Sequence, residues 1–152
     1  MDHNANTAVG VRIGRGTSNR AEAFRAIAGH LTDGNWKTDR CWSGLHVGLP
    51  IIAAASGQGQ GLFLVGALID AERAQVEDPH WGYRHRVCWQ PEVFSARIDG
   101  VIARIVSVRE LVWLTDNDYR EALGQLTANR SAMARVSEER RLLALRAKRV
   151  DR

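Results

Sequence analysis

Over residues 9–13 the chain alternates, with Val9, Val11 and Ile13 on one side and Gly10 and Arg12 on the other, which is the period of a short β-strand. Gly14-Arg15-Gly16 ends it. Thr17 or Ser18 then offers an N-cap for a helix whose Ala23, Phe24, Ile27, Ala28 and Leu31 recur at i, i+3 and i+4 to make one apolar stripe, with Gly34 as the stop signal. Residues 35–44 are expected to form a loop that exposes two tryptophans, Trp36 and Trp42, among Lys37, Asp39 and Arg40. The run Pro50-Ile51-Ile52-Ala53-Ala54-Ala55 predicts a buried strand, residues 56–61 a flexible Gly/Gln turn, and residues 62–69 a second apolar strand, together a central hairpin. An acidic, loop-like stretch at 70–79 and the aromatic His80-Trp81-Gly82-Tyr83 lead into residues 84–89, where Val87 and Trp89 share one side of another strand. Asp99-Gly100 tolerates a tight turn, so residues 94–98 and 101–106 are expected to be strands of a hairpin. Residues 111–114 are apolar, Thr115 or Asp116 caps a helix, and Tyr119, Ala122, Leu123 and Leu126 are its expected buried face.

A strand, a helix, four or five consecutive strands and a helix have no βαβ rhythm. The order predicts an α+β fold around a small, strongly curved, largely antiparallel sheet or barrel with flanking helices. Residues 131–149 are helical by propensity, but Met133, Val136, Leu142, Leu143 and Leu145 form an incomplete stripe, which leaves open a helix that protrudes or binds a partner and one docked on the body. We therefore divide the chain into a domain at 1–129 and a basic helical extension at 130–152.

Composition sharpens this division. The length of 152 residues suits one compact domain. No apolar run approaches the roughly 18 residues of a membrane span, and residues 1–20 lack a signal-peptide core, so a cytoplasmic location without membrane contact is expected. The formal charge of +4 is unevenly spread: residues 130–152 hold eight Arg or Lys against three Asp or Glu, while the body is close to neutral. Nucleic-acid binding by the body would need a local basic patch or help from the tail. Cys41 and Cys88 are too few and too isolated for a disulfide framework and are expected to be buried thiols.

Few constellations carry chemistry. Gly57, Gly59 and Gly61 follow a strand, but Leu62-Phe63-Leu64-Val65 continues as a strand where a phosphate loop would enter a helix, so a hairpin turn is expected. His80, His85 and Cys88 fit no common zinc spacing, neither cysteine lies in an activating motif, and Glu77-Asp78 sits in a loop where acids stay hydrated. No metal, cofactor or catalytic set is expected. Trp36, Trp42, Trp81, Tyr83 and Trp89 remain, half of the aromatic residues. Trp36 and Trp81 flank the central hairpin, where opposed indoles either sandwich a flat ring or close over the ends of a barrel and bury themselves. Mid-strand Trp89 is expected in the core.

Asn35-Trp36-Lys37-Thr38, the runs 48–57 and 61–67, Asp78-Pro79-His80-Trp81 with residues 83–89, and Val108-Arg109-Glu110-Leu111 resemble, in this order, the EVE and YTH branches of the PUA-like superfamily. The resemblance spans residues 9–127. It implies a PUA-like barrel acting as a non-catalytic reader of a methylated or hydroxymethylated base, flipped from a duplex or presented on a single strand. By motif position Trp36 and Trp81 would be cage walls, with Thr38, Ser56 and Tyr83 contacting the base and Lys37, Arg40, Arg84 and Arg86 the nucleic-acid backbone. The implied partner is DNA or RNA carrying the modified base, with a nuclease or another effector protein beside it. Two alternatives stand: an ASCH-like enzyme acting on a small molecule or processing RNA, with acid–base groups among Lys37, Asp39 and Glu77, and a protein-interaction module in which both tryptophans are packed.

Overall fold

The computed structural model describes residues 6–13, 18–70, 74–75 and 81–128, and in the C-terminal segment positions 138, 141–142 and 144–148. In chain order the elements are β1 (Asn6–Ile13), α1 (Arg20–Asp33), β2 (Asn35–Thr38), β3 (Pro50–Ala55), a 3-10 turn at Gly57–Gly59, β4 (Leu62–Leu68), β5 (Ala74–Gln75), β6 (Tyr83–Trp89), β7 (Phe94–Ser95), α2 (Gly100–Ser107), β8 (Leu111–Thr115), α3 (Asp116–Gln125) and β9 (Thr127–Ala128). The main path of the sheet is β2-β6-β4-β3-β1-β8, with short β5, β7 and β9 attached at its margins. The fold is mixed α+β, a curled sheet with helices against it. Pairing is antiparallel except between β1 and β3, where Val9 faces Ile51 and Ile13 faces Ala55. That parallel pair follows from the α1 crossover, since a parallel neighbour cannot be reached by a tight turn.

The middle of the sheet is covered on both faces. Val9, Val11, Ile51, Ala53 and Leu64 pack beneath Ile27, Ala28 and Leu31 of α1, together with Trp36 and Trp89. On the other face Ala8, Ile52, Ala54 and Phe63 meet Val101, Ile102 and Ile105 of α2 and Ala122 of α3. This explains the unbroken apolar run of β3, and it changes the reading of β1, whose Gly10 side is also buried. A Cβ at Gly10 would lie 2.7 Å from Ile105 Cγ1, so glycine is what lets α2 close onto the strand.

The helices show where local signals held. Asn19, rather than Thr17 or Ser18, caps α1 by accepting from the Glu22 amide; Ser18 donates to the Glu22 carboxylate instead, and Thr17 lies outside the described residues. Gly34 ends α1 in the left-handed conformation at φ 63°. Thr115 and Asp118 form a reciprocal capping box on α3. Ala122 is buried and Tyr119 and Leu126 pack at its edge, but Leu123 is exposed.

Three sequence expectations are corrected. Residues 101–106 are not a strand: they lie in α2, because Val101, Ile102 and Ile105 recur at helical spacing and bury one stripe, and this packing outweighs their β preference. Residues 35–38 are not loop but strand β2, which buries Trp36. Cys41 and Cys88 are exposed, not buried; Cys88 takes the outward position between inward Val87 and Trp89. No helix among the described residues is long and apolar enough to cross a membrane. The described tail positions are helical and exposed.

Candidate functional site

β2 lies antiparallel on β6, pairing Asn35 with Arg86, Trp36 with His85, Lys37 with Arg84 and Thr38 with Tyr83. Alternation sends Trp36 and His85 to one side, where the rings stack with centroids 5.1 Å apart and planes 27° apart. Both are almost wholly buried. The opposite side carries Lys37, Arg84 and Arg86, all exposed, with Lys37 directly across from Arg84. None of these three cations takes part in an ion pair among the described residues. Like charges placed opposite one another across a ladder destabilise it.

Beside this ribbon is a cleft of about 350 Å³. Arg12 and Ile13 at the end of β1 form one side, Ala26, Gly29, His30 and Asp33 of α1 another, and Asn35, Trp36, Lys37 and Trp81 the rest. A Cβ at Gly29 would meet nothing within 4 Å, so the helix leaves room there. His30 Nδ1 lies 3.2 Å from the Asn35 carbonyl oxygen, and since a carbonyl only accepts, Nδ1 carries the proton. Burial pushes the pKa of His30 down, partly opposed by that hydrogen bond, so the ring favours its neutral form. Trp36 is 1% exposed and serves as floor, whereas Trp81 is half-buried and serves as wall.

Other residues singled out by sequence lie elsewhere. Ser56 is buried, and both its amide and its hydroxyl donate to the Ile13 carbonyl, which pins the end of β1. Thr38 is fully buried; its hydroxyl accepts from Trp42 Nε1 at 2.9 Å and donates to Glu110 Oε1 at 2.8 Å. Tyr83 is half-buried opposite Thr38. None of the three borders the 350 Å³ cleft. Arg40 stacks its guanidinium over the Trp42 ring at 3.6 Å. His85 and Cys88 point to opposite sides of β6, His80 lies outside the described residues, and no group of three metal-ligating side chains occurs among the described residues.

Arg40 and Trp42 belong to a second cleft, of about 560 Å³, with Asp39, Val108, Arg109, Glu110 and Leu111. Sequence reasoning missed Glu110 as a polar centre. It is 7% exposed, and its Oε1 also accepts the Asp39 amide at 3.1 Å. Burial pushes its pKa above the usual carboxylate range, reinforced by a hydrogen bond to the Asp39 carboxyl and by that group's charge, against the Thr38 hydroxyl and Asp39 amide. The only sequence signal was an acidic residue set between Arg109 and an apolar strand. The chain matches no family model, no curated protein and no solved structure.

Proposed function

We propose that the protein is a non-catalytic nucleic-acid reader that takes a single, modified base into the cleft between Trp81 and Trp36. The observation that carries this reading is that half-buried Trp81 and buried Trp36, distant in sequence, border one cleft together with exposed Lys37, whose cross-strand partner on the outer side of the ribbon is Arg84. A volume of about 350 Å³ lies within the usual range for small-ligand pockets, about 300–1,000 Å³. Aromatic stacking supplies about 1–3 kcal/mol per base, against a few kcal/mol for unstacking it, so phosphate contacts along the β2–β6 ribbon supply the balance. The unfavourable pairing of Lys37 with Arg84 is relieved when an anion sits over both. A methyl group filling the cleft adds about 0.8 kcal/mol, close to a fourfold preference. Resemblance to EVE and YTH domains over residues 9–127 is what places the chain with the PUA-like superfamily in this reading, and the described elements form a curled β-sheet with helices. In this reading the basic tail adds phosphate contacts or joins an effector such as a nuclease.

An enzymatic reading has one observation in its favour, the Asp39 and Glu110 carboxyl pair. Of its three sequence candidates, Lys37 and Asp39 border different clefts and Glu77 lies outside the described residues.

The test is a titration at fixed salt against short single- and double-stranded DNA and RNA, unmodified or carrying methylated or hydroxymethylated bases. Preference for one modified base, weakened about tenfold in Trp81→Ala and lost in Gly29→Leu, whose side chain enters the space left open beside residue 29, supports the reader. Equal binding across the panel, or affinity unchanged in both variants, rejects it.

A further inference from the structure

The second cleft shares no bordering residue with the first, and nothing in the reader proposal uses it. Its groups are of mixed sign: the Asp39 and Glu110 carboxyls, and the guanidinium groups of Arg40 and Arg109. Asp39 and Arg109 are only loosely engaged, at 3.9 Å, and Arg109 is 85% exposed. Arg40 lies flat on Trp42, and the indole N–H is anchored by Thr38, which Glu110 holds in turn. The platform is therefore fixed relative to the buried carboxyl.

We propose that this cleft is a mononucleotide subsite selective for guanine. Guanine presents two adjacent donors, N1–H and the 2-amino group, which match the two oxygens of the part-exposed Asp39 carboxylate, whose backbone amide Glu110 holds in place. The base plane covers the Arg40–Trp42 stack, as bases do on guanidinium and aromatic planes. The phosphate falls to Arg109, whose planar fork suits it. A purely cationic ligand would meet two arginines, and a purely anionic one two carboxyls; a nucleotide brings donors and an anion to opposite ends. A free amino acid also carries both signs, but it has no flat ring to cover the platform. Adenine sets a ring acceptor beside its single amino donor, which opposes a carboxylate oxygen.

The subsite does not rest on the reader proposal.

The experiment follows the tryptophan indole N–H signals of the full chain by NMR, with the Trp42 signal identified by its loss in Trp42→Phe. The probes are guanosine, inosine and adenosine 5′-monophosphates, and free alanine. Guanosine monophosphate is expected to shift the Trp42 signal saturably. Inosine monophosphate, lacking the 2-amino donor, should bind about five- to tenfold more weakly, and adenosine monophosphate more weakly still. Arg109→Ala and Asp39→Asn, both at exposed positions, should each weaken guanosine monophosphate about tenfold, while Trp81→Ala leaves it unchanged. Equal response to the guanine and adenine nucleotides, a guanine response lost in Trp81→Ala but kept in Arg109→Ala, or an equal response to alanine overturns the proposal. Failure of the modified-base panel with a guanine-selective Trp42 shift would reject the reader and keep this subsite.

Discussion

The two clefts lie at successive residues of one short segment yet are built on opposite principles. The first is walled by aromatic carbon and helix α1, with His30, whose pKa burial lowers, and exposed Lys37 at its rim. The second is a hydrogen-bonded network, Trp42 to Thr38 to Glu110 to the Asp39 amide, with two arginines over it. The first can accept a ring because stacking is tolerant of ring identity. The second can discriminate because buried polar groups penalise a ligand that leaves them unmatched. Both depend on β2, whose Trp36 and Thr38 are buried core while Lys37 between them is exposed.

The largest expected effect breaks the symmetry between the two cleft tryptophans. Trp36→Ala, at a 1% exposed site stacked on His85, should cost about 3–5 kcal/mol in urea unfolding, whereas half-buried Trp81→Ala should cost well under half as much. Similar losses for both would show that Trp36 is not the floor.

In the second cleft, Thr38→Val leaves the Trp42 indole N–H without its partner and Glu110 Oε1 with the Asp39 amide alone, and should cost about 1–3 kcal/mol. A neutral result would mean that the network does not hold the cleft.

The clefts should also part in pH dependence. Folded Glu110 holds its proton more tightly than the unfolded chain does, so stability falls as pH rises from the ordinary carboxylate range through its raised pKa. Glu110→Gln should abolish that fall. Folded His30 binds its proton more weakly, so its contribution is lost as pH drops below the ordinary histidine range. Unfolding curves across pH for wild type, Glu110→Gln and His30→Gln check both signs, and a fall that survives in Glu110→Gln would put the proton elsewhere.

For the ribbon rim, the triple change Lys37→Ala, Arg84→Ala, Arg86→Ala should lower the slope of log K against log salt by about 2 for a single strand, if each cation meets one phosphate. An unchanged slope would move the backbone contacts to the tail. The smallest effect is Gly29→Ala, which meets open space and should stabilise α1 by up to about 1 kcal/mol while leaving the cleft open.

Local signals located the end of α1, the start of α3 and the central hairpin because they act within a few residues: Gly34 ends α1, Thr115 begins α3, and residues 57–61 turn β3 into β4. They failed at residues 101–106, where β-branched residues form a helix because a sheet face needed covering. They also read polar neighbours at residues 35–44 as loop, although four residues suffice for a strand when a partner such as β6 supplies the hydrogen bonds.

The chain by itself determined which segments are apolar, where α1 ends and α3 begins, and that Trp36 and Trp81 bracket the central hairpin. Those features follow from side-chain chemistry and short-range spacing. Tertiary structure alone decided that Trp36 is a floor, that Thr38 and Ser56 serve the framework, and that Glu110 meets Asp39 across the fold. Burial and long-range pairing are properties of the closed sheet, and residues from separate strands acquire them only when the sheet brings them together.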